Sequence, residues 1–263
     1  MLKGITNFVS RYLYAAMSCI YLFAAGFLFV RNRLLIYKIS SHFGYPEVNI
    51  PVVDPASIIP LKNLEDSPVQ VLEPIGRDGN VSAVELFIIN LFIKAMSPTK
   101  IFEMGTFDGR TTLNMARNSA DHARIWTIDL PRDRLDSTKL PIVPLDRQFI
   151  DKPSSGTCFA GREEEKKITQ LYGDTATYDF SPFFSSMDLV FIDASHSYEY
   201  VLNDSRIALK LLRDKKGVII WHDYMMWEGV TRALKELYST EPEFKGIRHI
   251  EGTSLACLIR SCG

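Results

Sequence analysis

The chain has 263 residues, 46% of them hydrophobic, with 30 basic and 31 acidic side chains and a formal net charge of -1. That length fits one large domain with an appendage and leaves little room for a second, and the hydrophobic share is ample for a core. The balanced charge offers no basic stripe for DNA or RNA, so nucleic-acid binding is set aside. Cys19, Cys158, Cys257 and Cys262 form no C-x-x-C pair and no metal-type spacing, which argues against a zinc site or a disulfide framework and makes reduced thiols the default.

No charge interrupts Tyr12 to Val30 (YLYAAMSCIYLFAAGFLFV), and a helix there would be apolar on every face rather than along one stripe. At 1.5 Å per residue it would measure about 28 Å, near the lower limit for a bilayer span, so it is expected to be a membrane-anchoring hydrophobic helix. Lys3 and Arg11 precede it and Arg31, Arg33 and Lys38 follow, a near tie that leaves its orientation open. A cleaved signal peptide fits less well, because Phe27-Leu28-Phe29-Val30 continues the apolar run beyond Ala24-Ala25-Gly26. A helix buried on the domain or on a second subunit of an oligomer is the other alternative. Pro46, Pro51, Pro55, Pro60, Pro68 and Pro74 then mark an extended connector. The expected organisation is an anchor over 1–45, a connector over 46–79 and a globular domain over 80–263.

Asn80 is placed to cap a helix through VSAVELFIINLFIKAM, which Pro98 stops. Beyond it short β-rich runs appear at Lys100 to Met104, Arg124 to Asp129, Ile168 to Tyr172, Asp188 to Asp193 and Gly217 to His222. Helical stretches at Arg110 to Arg117, Tyr198 to Leu212 and Gly229 to Tyr238 separate most of them. Continuous apolar strands alternating with helices predict an α/β fold, a doubly wound parallel sheet covered on both faces. Ile247 to Ile250 and Ser254 to Ile259 follow too closely for a full crossover and suggest an antiparallel pair. In such sheets ligands lie off the carboxyl ends of the strands, so the residues ending each strand are the candidates.

The first of these strands ends in Glu103-Met104-Gly105-Thr106-Phe107-Asp108-Gly109-Arg110-Thr111-Thr112, an E-x-G-x-x-x-G turn opening a helix. Glycines there permit a sharp turn and a close approach to a ligand, and the helix amides could meet an anionic group. Phe107 stands where the dehydrogenase fingerprint G-x-G-x-x-G needs its second glycine, which disfavours a nucleotide-dependent oxidoreductase. Asp129 ends the second strand, one βαβ unit on, where an acid can hold ribose hydroxyls. Gly173-Asp174-Thr175 follows the third strand, where a carboxylate or hydroxyl could accept from an adenine amino group. Each acid alone reads as a turn or cap residue; three in this order favour a nucleoside cofactor.

In this order EMGTFDGRTT, TIDLP, GDT, DLVFIDASHSYEYV and GVIIWHDY resemble the class I methyltransferases, in particular a bacterial-type subgroup near the catechol and caffeoyl-CoA O-methyltransferases. The resemblance implies a Rossmann-like seven-stranded sheet with its last strand antiparallel, and S-adenosylmethionine as cofactor. It also implies that Glu103, Gly105, Thr106 and Gly109 form the cofactor loop and that Thr111 meets the methionine carboxylate. Asp129 would bind ribose, and Asp174 or Thr175 would face adenine.

The fourth and fifth strands end in Asp193-Ala194-Ser195-His196 and His222-Asp223-Tyr224. Neighbouring strands lie about 4.8 Å apart, so Asp193, His196 and Asp223 can share one small site beside the cofactor. Methyl transfer to a hydroxyl needs alignment and a base, and His196, near its unperturbed pKa, suits that task. The resembling enzymes use a lysine at the matching place and bind magnesium through two aspartates and an asparagine. Asp193 and Asp223 match the aspartates, but Tyr224 replaces the asparagine, so Mg²⁺ or another divalent cation rests on two carboxylates and waters. His222 reads as a core residue on the strand face opposite Asp223.

Between Pro131 and Lys166 lies a long insertion, read as a lid over the acceptor; deleting Asp146 to Gly156 would then weaken acceptor turnover and spare cofactor binding. The expected activity is methyl transfer to a small-molecule or lipid-linked hydroxyl, by a membrane-associated enzyme whose catalytic domain faces the cytoplasm, where the cofactor is found. A tethered scaffold that binds the cofactor without turnover is the non-enzymatic alternative.

Overall fold

The computed structural model describes residues 2–43, 49–60 and 68–260. The chain divides into two compact units, residues 1–48 and 49–263. In the first, α1 (Leu2–Ala24) and α2 (Val30–His42) flank a 3₁₀ turn at Gly26–Leu28. The expected uninterrupted helix over Tyr12 to Val30 is therefore corrected. At Ala25 the backbone leaves the helical region (φ -142°), and Asn32 Nδ2 donates to the carbonyl of Gly26 at 3.1 Å, holding the break. The stretch Tyr12 to Ala24 that remains in α1 is about 20 Å long, against about 30 Å of hydrocarbon. Among the described residues no helix is long and apolar enough to cross a membrane.

The second unit is an eight-stranded sheet made of β1 (Val52–Val53), β2 (Lys100–Met104), β3 (Arg124–Asp129), β4 (Ile168–Tyr172), β5 (Leu189–Ile192), β6 (Gly217–Trp221), β7 (Arg248–Ile250) and β8 (Ala256–Arg260). Their order is β1-β7-β8-β6-β5-β2-β3-β4, and β8 alone runs antiparallel to its neighbours. The seven expected strands are present with the expected antiparallel last one. The eighth, β1, comes from the segment expected as a connector and pairs in parallel with β7, Val52 opposite His249. Two valines flanked by Pro51 on one side and Asp54-Pro55 on the other suit a sheet edge, where a proline's missing N–H breaks no ladder. There Pro51 contributes only its carbonyl, which accepts from His249 N at 2.9 Å.

The helices of this unit are α3 (Pro55–Ile58), α4 (Ala83–Met96), α5 (Arg110–Asn118), α6 (Arg147–Ile150), α7 (Tyr198–Leu211) and α8 (Glu228–Thr240). Ser82, not Asn80, caps α4, in a reciprocal capping box with Glu85. Strand alternation divides the core into two layers. Phe102, Val190, Ile192 and Ile219 meet Val201, Leu234 and Leu237 of α7 and α8, whereas Ile101, Ile125, Leu189 and Phe191 meet Ile89, Phe92 and Met115 of α4 and α5.

The crowded point of this frame is Gly105. Its φ is +96°, and a Cβ there would lie 1.9 Å from the carbonyl oxygen of Asp193. Only glycine lets the turn after β2 pass the end of β5 this closely, and that contact sets the two motifs side by side.

Candidate active site

The carboxyl edge of the sheet opens into a cavity of about 470 Å³. Asp129, Asp174 and Thr175 line it on one side and Asp193, His196 and Asp223 on the other, with Gly105 between them against Asp193, so seven of the candidate residues share one space. Glu103, Thr106, Gly109 and Thr111 are not in its lining. They carry the loop from behind. Glu103 is buried, its Oε2 accepting from Thr127 Oγ1 at 2.6 Å and from Thr112 Oγ1. Among the described residues its Oε1 has no hydrogen-bond partner. Burial pushes the Glu103 carboxyl up to about 8, against the two threonine bonds. Thr106 Oγ1 meets Thr127 Oγ1 at 2.7 Å and accepts from Gln170 Nε2 at 2.9 Å. Gly109, at φ +83°, opens α5 and leaves room for the Phe159 ring. The first amide of that helix, Arg110 N, donates to Asp108 Oδ1 at 3.0 Å.

At the Asp129–Asp174 end the acids already have protein donors. Asp129 Oδ2 pairs with Lys152 Nζ at 2.7 Å and accepts from Ser155 Oγ. Burial raises its pKa even so. Asp174 accepts from Tyr200 Oη at 2.7 Å, Lys139 N at 2.7 Å and Ala176 N at 2.9 Å.

At the other end acids and histidines alternate. His196 Nδ1 lies 2.5 Å from Asp146 Oδ1, and its Nε2 lies 2.7 Å from Asp223 Oδ2. His222 Nδ1 lies 3.0 Å from Asp193 Oδ1 and 3.2 Å from Asp223 Oδ2, while its Nε2 is 3.4 Å from Glu85 Oε2. Burial disfavours charge on His196, but hydrogen bonds to Asp146 and Asp223 outweigh it and push the pKa up to about 9. His222 is raised for the same reason, with Asp193 its strongest partner, and Asp223 is held well below the usual carboxylate range despite its burial. Trp227 stacks on the His196 ring, centroids 4.1 Å apart.

His196 does not cap α7; Ser197 does, accepting from Tyr200 N at 3.3 Å. The core reading of His222 is corrected: it lines the cavity beside Asp223. Strand alternation lapses because β6 ends at Trp221 and Asp223 takes a left-handed φ of +66°. Tyr224, by contrast, is buried against His249, ring centroids 5.0 Å apart, and takes no part in the lining. Ligand atoms of Asp193, His196 and Asp223 lie within 4.8 Å of one another.

Residues of the insertion line the cavity at both ends. Asp146 and Phe149 reach His196, whereas Lys152 and Ser155 reach Asp129. Deleting 146–156 therefore disturbs both ends of the cavity and cannot isolate a lid.

Residues 102–224 match the family model described as a methyltransferase domain. No curated protein sequence matches the chain. Among solved structures it is similar to the SAH-bound methyltransferase PaMTH1 of Podospora anserina, with 16% identity over 70% of this chain and 81% of that one and a TM-score of 0.50. This likeness is one of fold. The SAM complex of the O-methyltransferase TomG of Streptomyces achromogenes matches with 17% identity over 86% and 95% of the two chains, at a TM-score of 0.49.

Proposed function

Residues 102–224 match the methyltransferase-domain model, and from that match we propose that the enzyme moves a methyl group from S-adenosylmethionine to a hydroxyl of a small or lipid-linked acceptor, with His196 as base. The observation that carries this reading is an imidazole held between two carboxylates in the same cavity as Gly105 and Asp129. That match favours a methyltransferase over the oxidoreductase reading, and turnover would distinguish it from the scaffold.

The cavity fits the cofactor by size, lying within the roughly 300–1,000 Å³ of single-ligand pockets, and by its donors. Asp129 offers a carboxylate to ribose hydroxyls, Asp174 and Thr175 offer acceptors to a purine edge, and Gly105 lets the backbone come close. When bound, the sulfonium supplies an electrophilic methyl carbon. The acceptor oxygen bonds to that carbon as the carbon–sulfur bond breaks, and the hydroxyl proton passes to Nε2 of His196. Trp227 and Phe149 fix the ring planes that line the acceptor's approach. Nε2 accepts only after losing its own proton, so turnover should climb with pH towards about 9.

The close approach of Asp193, His196 and Asp223 favours a second reading of the same site. By donor type these groups would hold a divalent cation, which would acidify the acceptor hydroxyl and make His196 a ligand. Transfer of a labelled methyl group from the cofactor to hydroxyl acceptors, with and without chelator, tests both. Chelator-resistant transfer supports the base; transfer abolished by chelator and restored by Mg²⁺ supports the cation.

The same reading places the catalytic unit in the cytoplasm and the α1–α2 unit along a membrane surface rather than through it. Phe8, Tyr12, Leu13, Met17 and Ile20 are exposed on α1, and the sequence has no acidic residue before Glu47. Co-sedimentation with anionic vesicles, lost on removing residues 1–43, is the expected result.

A further inference from the structure

We propose that Asp146 is a positioning residue of this site, supplied by the insertion to fix the tautomer and orientation of the His196 imidazole. The inference rests on the base reading above. A single carboxylate serves three donors from two successive residues. Its Oδ1 faces His196 Nδ1 at 2.5 Å, and its Oδ2 accepts from His196 N at 3.1 Å and Ser195 Oγ at 2.8 Å. Ring and backbone of the same residue are thus clamped together.

The ordinary role for an aspartate at this place would be helix capping, since Asp146 immediately precedes α6. Its side chain makes no capping hydrogen bond. The carboxylate is buried and turned to a residue 50 positions away. With Nδ1–H given to Asp146, Nε2 is the nitrogen left to face Asp223 and the cavity. Trp227 covers one ring face, and Phe149, three residues beyond Asp146, meets the ring edge-on with centroids 6.2 Å apart. The imidazole therefore cannot rotate without losing the Asp146 contact. Covering the cavity and orienting its base are one structural event, because the same short segment does both.

A carboxylate so placed matters to the extent that it holds one tautomer and stabilises the imidazolium formed when the base takes a proton. Asp146→Asn keeps the shape but puts an amide where the carboxylate accepts from two sides, and Asp146→Ala removes the clamp. For both variants the full-length enzyme is assayed for kcat, acceptor KM and cofactor Kd by calorimetry. These are set beside His196→Ala and the Asp146→Asn/His196→Ala double variant. The expected result is a fall in kcat of about 100-fold or more, with KM and Kd within about threefold of wild type. In the His196→Ala background, Asp146→Asn should cost nothing further, an epistasis that loss of packing would not produce.

Wild-type kcat in both Asp146 variants, with His196→Ala inactive, would overturn the positioning role and leave the base reading standing. A parallel rise of KM and Kd, additive with His196→Ala, would also overturn it in favour of a packing role. Full activity of His196→Ala would remove the base reading itself, and the positioning role with it.

Discussion

The two ends of the cavity are lined by the same residue type and use it differently. At one end, Asp129 and Asp174 accept from lysine, hydroxyl and backbone donors. At the other end, Asp146, Asp193 and Asp223 face two histidines, whose pKa values these carboxylates raise. The difference is one of partners rather than of acids. Fixed donors make a carboxylate a point of attachment, whereas an imidazole makes it part of a proton path.

The sharpest way to break this comparison is His196→Ala. It should lower kcat by about 100-fold to 10,000-fold, the usual span of a general base, while calorimetry finds cofactor affinity within a few-fold of wild type. An equal loss of affinity would mean that the two ends are not separable.

The sequence made the first end legible and hid much of the second. Gly105, Asp129, Asp174 and Thr175 each follow a strand, so local pattern and strand order located them. The same order gave seven strands; β1 escaped because two residues between prolines carry no periodic signal. Asp193, His196 and Asp223 were found by the strand-end rule as well. Asp146 was not. Its bond to His196 spans 50 positions, and nothing in Pro144-Leu145-Asp146 distinguishes it from a cap. Glu85 was equally hidden: it closes the capping box of α4, accepts from Ser254 N and lies near His222. His222 was misplaced by an alternation rule that stops applying one residue earlier. The N-terminal run was misjudged because hydropathy counts apolar residues and does not register the break at Ala25 and Gly26.

Asp129→Asn probes the other end and should have a smaller effect of opposite kind. A charge-assisted hydrogen bond contributes about 1.5–3 kcal/mol, so cofactor Kd should rise by about tenfold to 100-fold, with kcat at saturating cofactor nearly unchanged. A loss confined to kcat would place Asp129 in the chemistry and dissolve the contrast. Thermal midpoints of the variant with and without cofactor tell weaker binding from loss of the Lys152 pair, since only the former diminishes the cofactor-induced shift.

A different kind of effect concerns Glu103, the acid that belongs to neither end. Its pKa, about 8 in the fold against 4.5 for the free side chain, means that the folded state keeps a proton the unfolded chain has lost. For a raised carboxyl the linkage runs against alkali. Any contribution is complete below pH 4.5 and is withdrawn as pH climbs to about 8, at about 1.4 kcal/mol per pH unit. Glu103→Gln cannot ionise and escapes that slope. Its stability in urea, measured against wild type at pH 6 and pH 8, should therefore improve at the higher pH whatever fixed cost the amide brings to the Thr112 and Thr127 contacts. Parallel pH profiles for the two proteins would show that Glu103 is ionised in the fold instead of a neutral support behind the cavity.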